Sequence, residues 1–486
     1  MTCVKSVILL CFFLLSSCAV GPDYKRPVPP LPTAYTSRPI NTTTVATQTE
    51  LGNAQRFVTT DTIPAQWWEL FHSKPLNDLV VASLQHNPSV RAAQAALHGA
   101  LENVYAQQGA FFPFVGLALS PTKQQTAKIL TSVLASDQYD YALYTGQVFV
   151  SYTPDVFGGI RRQVESLTAQ AAFQRMQLEA TYLTLASNVV NAAIQEAALH
   201  SQILATKQMI ASQMKIVAIT RKQYQLGDTA LTDTALQEAA LAETESTLPP
   251  LEKQLALQQN LLNALTGRFP DDQRTPTFKL SSLHLPDDLP LSLPSALIEH
   301  RPDIRAAEEQ MHAANALIGV ATSNRLPNVT IGFTNAGTAA TSLSKLFEQN
   351  TMFWALAGLI TQPIFDGGTL LHRQRFAEAF YEQASAQYRL TVINAFQNVS
   401  DTLNAIRLDA IALHTASTAE HAARTSLNIA RRQFAAGDTN TLTRLLTEQM
   451  YQRTKLNLIQ TKANRLSDTV ALFQALGGGW WERKTA

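Results

Sequence analysis

Apolar and polar positions divide this chain into very long helical stretches and short alternating runs. From Ile160 to Leu226 there is no glycine or proline, and from Thr369 to Ala436 there is none again. Each stretch is about 67 residues rich in Ala, Leu, Gln, Arg and Glu, all good helix formers, and would span about 100 Å as one helix. Ordinary globular helices run to about 20 residues, so these lengths predict coiled-coil packing or a helical wall. Gly227-Asp228-Thr229 and Gly437-Asp438-Thr439 follow, each a C′ glycine and then side-chain oxygens for capping a returning helix. The expected return arms are Asp228–Thr266 and Asp438–Leu476. Pro249-Pro250 should kink or break the first, and the second has no such breaker.

Apolar positions on these helices form only a narrow stripe. Beside it lie Asn188, Asn191, Gln195, Gln202, Gln208 and Gln213, then Asn394, Gln397, Asn398 and Asn404. Such residues fit a solvated face, or a wall with one side on a water-filled interior, and the pattern leaves both open.

The alternating runs predict strands. Val329, Ile331 and Phe333 alternate with Asn328, Thr330, Gly332 and Thr334, and Tyr144, Val148, Val150 and Tyr152 with Thr145, Gln147 and Ser151. Phe112–Ser120 and Phe353–Gln362 are fainter versions. Alternation over about 10 residues with tyrosine at the ends is the weak signature of an outer-membrane barrel strand. A half-buried strand of a soluble sheet looks the same locally. Four strands cannot close a barrel, and an open sheet in lipid would leave its edge groups unsatisfied. If these strands lie in lipid, several chains must share one barrel.

The chain is also duplicated. Leu84-Gln85-His86-Asn87-Pro88-Ser89-Val90-Arg91 lines up with Ile298-Glu299-His300-Arg301-Pro302-Asp303-Ile304-Arg305, and Pro113 matches Pro327. Phe157-Gly158-Gly159 resembles Phe365-Asp366-Gly367-Gly368, Arg221 to Thr229 pairs with Arg431 to Thr439, and Leu265-Thr266-Gly267 answers Leu476-Gly477-Gly478. The spacing is far beyond a solenoid period, so this is a duplicated half-protein. The organisation read from these marks is a signal peptide at 1–17, a tether at 18–66, and repeats at 67–267 and 278–480.

At the N-terminus, Lys5, the apolar Val7 to Leu15 and the small-residue site before Cys18 make an export signal. Leu15-Ser16-Ser17-Cys18 resembles the lipobox of bacterial lipoproteins, which implies lipidation of Cys18. Ala19 and Val20 lack the aspartate that would retain a lipoprotein at the inner membrane, so the outer membrane is favoured. Cys3 and Cys11 fall in the removed segment, which excludes intrachain disulfides and a cysteine zinc site in the mature chain. Residues 21–64, rich in Pro and Thr, read as an extended tether unable to bury a core of its own. One acyl anchor binds membranes weakly, so further membrane contacts are expected.

Beyond the signal no stretch of about 20 apolar residues exists, which predicts no transmembrane helix. With 38 Lys and Arg against 37 Asp and Glu, the electrostatic case for nucleic-acid binding is absent. His300-Arg301-Pro302-Asp303 superficially resembles a kinase catalytic loop, but its repeat partner is His86-Asn87-Pro88-Ser89 and no glycine-rich loop accompanies it. No metalloprotease, hydrolase or phosphate-loop motif is present, and the ten histidines lack ligand spacing. The expectation is no enzyme, no metal and no cofactor.

Gly21-Pro22-Asp23-Tyr24-Lys25-Arg26-Pro27, Trp67-Trp68, His300 to Ile304, Ser342 to Phe347 and Pro363 to Gly368 together resemble the TolC-like outer-membrane factors. The nearest branch is the OprM/NodT-type outer-membrane efflux lipoproteins, and the resemblance covers essentially the whole mature chain. It implies a mainly α fold with a small β part. Duplicated helical hairpins would form a periplasmic tunnel, and four transmembrane strands per chain would be completed to a barrel in a homotrimer. It further implies a periplasmic adaptor (membrane fusion) protein, an inner-membrane pump, usually of the RND class, and contact with outer-membrane lipid. The tunnel would open by an iris-like movement of helices at its periplasmic tip, where the two Gly-Asp-Thr turns lie. Carried over, Leu442 falls on a gate leucine with Thr443 beside it. Leu446 replaces the usual aspartate, which puts acidic selectivity in doubt and points to an apolar constriction. Glu448 lies nearby on another face. Gly227, Asp228, Asp233, Gly437, Asp438 and Arg444 would form the tip turns and adaptor-docking surface, with Asp233 a candidate partner for Arg444. A duct for a type I protein secretion system and a lipid-anchored coiled-coil tether without a pore stay open as alternatives.

Overall fold

Two series of elements repeat in chain order. After β1 (Arg56–Thr59), the first runs α1 (Lys74–His86), α2 (Pro88–Gln108), β2 (Phe114–Gln125), β3 (Asp140–Tyr152), α3 (Gly159–Gln225), α4 (Leu231–Ser246) and α5 (Leu248–Leu265). After β4 (Asp288–Leu291), the second runs α6 (Pro294–His300), α7 (Pro302–Ser323), β5 (Asn328–Ala340), β6 (Met352–Phe353), β7 (Ala357–Thr361), α8 (Thr369–Ala436) and α9 (Thr441–Ala475). The structure is a computed structural model and describes residues 19–28, 34–36, 42–60, 62–125, 140–272 and 276–482. The expected signal segment and Cys18 lie outside the described residues, as do Pro29, Pro30, Pro32 and Pro39 of the expected tether. No helix among the described residues is long and apolar enough to cross a membrane.

The two glycine- and proline-free stretches are single helices, α3 of 67 residues and α8 of 68 residues. The return arms differ as Pro249-Pro250 requires. The first is cut at Thr247, with the prolines in the opening turn of α5, where a missing N–H breaks no hydrogen bond. The second, α9, runs 35 residues without interruption. Proline also separates α1 from α2 and α6 from α7. It forces the preceding residue out of the helical region, so Asn87 (φ −67°, ψ 127°) and Arg301 (φ −80°, ψ 122°) are extended.

One compact unit comprises the chain up to Pro27, Ala96–Gln174 and Ala307–Tyr388. Its sheet is antiparallel in the order β2-β3-β5-β7, with β6 also paired to β5. Residues opposite one another share a face. Val115 meets Val150, Leu117 meets Val148, Tyr152 meets Ile331, and Val329 meets Ile360, so all four strands contribute apolar positions to one shared face. Phe114 opposite Ser151, Ala118 opposite Gln147, Ser120 opposite Thr145 and Asn328 opposite Thr361 occupy the other, more polar face. The apolar face is bare: Leu117 is 80% exposed and Ile360 is 70% exposed. The fourth expected strand is split, because the ladder lapses between Phe353 and Ala357.

The other unit comprises Val28–Ala95, Arg175–Ala306 and Arg389–Ala486. Trp67 stacks on Phe473 with centroids 5.3 Å apart, buried together with Phe71 and Leu76. A parallel two-stranded ladder of β1 with β4, which the sequence pattern does not anticipate, lies in this unit. The tether is correspondingly less free than its composition suggests. Arg465, fully buried on α9, donates to the carbonyls of Leu51 (2.9 Å) and Asn53 (2.6 Å) and to Thr44 Oγ1 (3.2 Å). A segment with no core of its own is thus held through its backbone by another element's guanidinium.

The polar residues on the long helices divide between both readings. Asn188, Gln208, Asn394, Gln397, Asn398 and Asn404 are exposed, whereas Gln213 is buried. Gln195 and Gln202 reach across to α9, on Ser467 at 3.4 Å and Gln460 at 3.1 Å.

Candidate functional site

Each hairpin turn is built the same way. Asp228 N–H donates to the Gln223 carbonyl (2.9 Å) and Gly227 N–H to that of Tyr224 (3.0 Å). In the second turn Asp438 donates to Gln433 (2.8 Å) and Gly437 to Phe434 (3.2 Å). These paired bonds close the Schellman motif, which needs a left-handed C′ residue. Gly227 (φ 79°) and Gly437 (φ 78°) supply it, and nothing crowds either Cα.

The capping residues differ from the expectation. Asp228 and Asp438 serve through their backbone, and the return helices begin at Leu231 and Thr441. The second is capped by Asn440, whose Oδ1 accepts from the Thr443 N–H (2.9 Å) and hydroxyl (2.8 Å). The first has Ala230 at its cap without a side-chain bond. The expected Asp233–Arg444 pair does not form within the chain. Asp233 Oδ2 accepts instead from the hydroxyl of Thr229 (3.0 Å), four residues away on its own turn. Arg444 lies over the ring of Phe434, 4.7 Å from its centroid, a cation–π contact within the second hairpin. Burial, with Arg431 nearby, holds Arg444 below the usual guanidinium range.

The gate candidates fall on one ridge. Leu442, Leu446 and Met450, spaced four apart on α9, are each about half exposed. Leu445 and Glu448 of the same helix are buried on the opposite side. Glu448 carries more than its sequence position suggests. It accepts from Arg431 of α8 (2.9 Å) and Ser212 of α3 (3.5 Å), so one buried carboxylate ties three helices next to the turn. Its partners are distant in sequence, and no local spacing reveals them.

A second constructed site receives the segment after Cys18. Val20 N–H donates to the Phe157 carbonyl (3.0 Å), and Arg162, nearly buried, binds Asp23 (2.6 Å) and Glu165 (2.8 Å). Tyr24 stacks on His312, and Arg26 pairs with Glu308 at 2.8 Å. A Cβ on Gly319 would strike the Arg162 side chain, so the glycine makes room for the strap's anchor. Ala19 lies against Gly158, a few residues past the end of β3.

Among the described residues no cluster of His, Cys, Asp or Glu is arranged to hold a metal ion. The sequence signature of the family described as outer membrane efflux protein matches residues 79–268 and 293–478. The pyoverdine export outer membrane protein OpmQ of Pseudomonas putida is 26% identical over 422 residues, 85% of this chain and 88% of its own. The probable efflux pump outer membrane protein TtgC of the same species is 26% identical over 97% of this chain and 94% of its own. The crystal structure of the outer membrane protein VceC of Vibrio cholerae superposes with a TM-score of 0.78 at 27% identity, covering 86% of this chain and 99% of that one.

Proposed function

This chain belongs to the outer membrane efflux protein family, and from that premise we propose that it is the outer-membrane exit duct of a tripartite efflux system for small toxic molecules. It would act as a homotrimer docked to a periplasmic adaptor and an inner-membrane pump of the RND class. The observation that carries the reading is the sheet of β2, β3, β5 and β7. One face is bare and apolar, the other more polar, and among the described residues of the chain nothing pairs with the outer edge of β2. Such a sheet is stable in lipid only when closed, and closure of four strands requires further copies.

In this reading the protein performs no chemistry. The pump supplies the energy, and the duct supplies an aqueous path with a controllable end. Leu442 and Leu446 form the apolar constriction, extended by Met450, while Thr443 fixes the start of α9 through Asn440. The turns at Gly227-Asp228 and Gly437-Asp438, with Asp233 and Arg444, form the adaptor-docking tip. Cys18 carries the lipid, and the strap that follows it, from Ala19 to Arg26, is docked near the end of β3. Export names among the relatives favour small molecules over a protein-secretion duct.

The test combines two measurements. Purified protein fused into planar bilayers should give discrete conductance steps, and a strain lacking the gene should accumulate more of a fluorescent efflux substrate. A poreless tether would give neither. Conductance with unchanged accumulation, together with loss of a secreted protein, would select the secretion duct instead.

A further inference from the structure

We infer that β7 of one copy pairs antiparallel with β2 of the next, with Ile360 opposite the partner's Leu119 and Thr361 opposite the partner's Ala118. This rests on the reading of a barrel shared between copies, and adds to it a defined seam and register.

The duplication supplies the argument. In the first hairpin Val115 pairs with Val150, and in the second Val329 pairs with Ile360. The leading strand has therefore shifted by 214 residues (329 minus 115), and the trailing strand by 210 (360 minus 150). The shift of 214 also relates Pro113 to Pro327, a match found in the sequence without any strand register. Within the chain, the two hairpins join where the trailing strand of the first meets the leading strand of the second. There Val150 is opposite Phe333 and Ser151 opposite Gly332. A closed ring of hairpins must repeat that seam between copies, now from β7 to the next β2. Applying the two shifts carries Val150 to Ile360 and Phe333 to Leu119, and Ser151 to Thr361 and Gly332 to Ala118.

The faces agree with this register. Ile360 is opposite Val329 on the apolar face, and Leu119 shares that face with Leu117. A slip of one residue would set Ile360 against the partner's Ala118 or Ser120, on the more polar side.

An independent observation lies just below the ladder. Phe157 and Leu326 line one cavity of about 270 Å³ at the foot of the in-chain seam, and both are partly buried there. Their repeat counterparts are Phe365, placed by the Phe-Gly-Gly match two residues short of the strand's shift of 210, and, 214 residues before Leu326, Phe112. These two are 92% and 71% exposed. The in-chain contact covers the first pair. The seam between copies places Phe365 against the partner's Phe112 and covers the second in the same way.

Cysteine pairs test the register, because Cys18 is the mature chain's one native cysteine and the lipid blocks its thiol in this reading. Directly opposed strand residues lie about 4.5–5.5 Å apart at Cα, within disulfide range. The double variant Ile360→Cys with Leu119→Cys, oxidised in intact outer membranes, should give dimer and trimer bands on a denaturing gel, absent from either single variant. Thr361→Cys with Ala118→Cys, on the other face, provides the same readout should the first pair fail to assemble. If native trimers form but the bands arise from Ile360→Cys with Leu117→Cys or Ser120→Cys, the register is overturned and the shared barrel stands. If no trimers form in unsubstituted protein, the barrel reading fails and the seam with it.

Discussion

Arg301 reaches the far end of its own repeat, where Nη1 donates to the carbonyl of Ala475 at 2.9 Å. Asn87 does the same in the first repeat, Nδ2 to the carbonyl of Leu265 at 2.8 Å. Each is steadied by the residue after the following proline: Asp303 binds the Arg301 guanidinium at 2.7 Å, and Ser89 donates to Asn87 Oδ1 at 2.7 Å. The adjoining glycines repeat the geometry, since a Cβ on Gly267 or Gly477 would lie 2.7 Å from the carbonyl oxygen of His86 or His300. The His-x-Pro-like motif is therefore a clamp that fastens the end of each return arm to a proline-broken helix. Replacing Arg301 with Ala strands a helix-terminal carbonyl and should lower stability by about 1–3 kcal/mol. Denaturant unfolding of the detergent-solubilised protein reads this directly, and an unchanged midpoint would remove the clamp.

The strap should be sensitive to pH. Tyr24 and His312 stack with ring centroids 4.2 Å apart, and the His312 ring lies between Glu165 (3.1 Å) and Glu309 (3.6 Å). Hydrogen bonds to Glu309 and Glu165 outweigh burial and hold His312 above its usual value of 6.5. The other charges at this site are Arg162, paired with Asp23 and Glu165, and Arg26, paired with Glu308. A raised imidazole contributes its stabilisation in full below the unfolded value and loses it as pH rises through the folded one. Hydrogen exchange over residues 20–26, corrected for intrinsic rate, should therefore quicken on passing from pH 6 to pH 9. In His312→Ala the protection should be weak and flat with pH. A pH-independent wild type would count against His312 as the strap's holder.

Much of this architecture is legible in the sequence because it rests on local rules. The absence of Gly and Pro marks α3 and α8, the prolines at 249 and 250 mark the break in one return arm, and alternation finds the strand faces. What escapes has long-range partners. Arg465 fixes residues 44–55 from more than 400 positions away, so Pro- and Thr-rich chain that reads as free tether is fastened. Glu448 looks like a surface helix residue until Ser212 and Arg431 are brought to it. The Asp233–Arg444 pairing fails for the converse reason: each finds a closer partner within its own hairpin, Thr229 and Phe434.

Asp409 on α8 should make the protein less stable as pH rises. Burial, and then the neighbouring Asp468, push its carboxyl up to about 7 from 3.8, against the pull of Arg465. The folded state therefore holds a proton that the unfolded chain releases, and stability falls between those two values as pH increases. Asp409→Asn removes the titration. Its melting temperature should exceed that of the wild type at pH 8, with the difference shrinking toward pH 5. Parallel melting curves at both pH values would mean that Asp409 is already ionised in the fold.

At the hairpin tip, the ridge and the tie should both restrain the proposed opening, each by a different means. Leu442, Leu446 and Met450 project from α9 on its exposed side, whereas Glu448 on the other side holds α9 to Arg431 and Ser212. Replacing Leu442 with Ser removes apolar surface from the proposed constriction without touching the tie. Single-channel conductance should rise while the melting temperature stays within a degree or two, as for other surface changes. Glu448→Ala instead frees Arg431, which is 40% exposed, and should cost about 1–2 kcal/mol because water partly screens the pair. It should also raise conductance, but with more frequent transitions between levels, since the helix is released rather than its side chains trimmed. Equal conductance traces for Leu442→Ser and wild type would place the constriction elsewhere. A quiet, wild-type trace for Glu448→Ala would show that the three-helix tie does not restrain the opening.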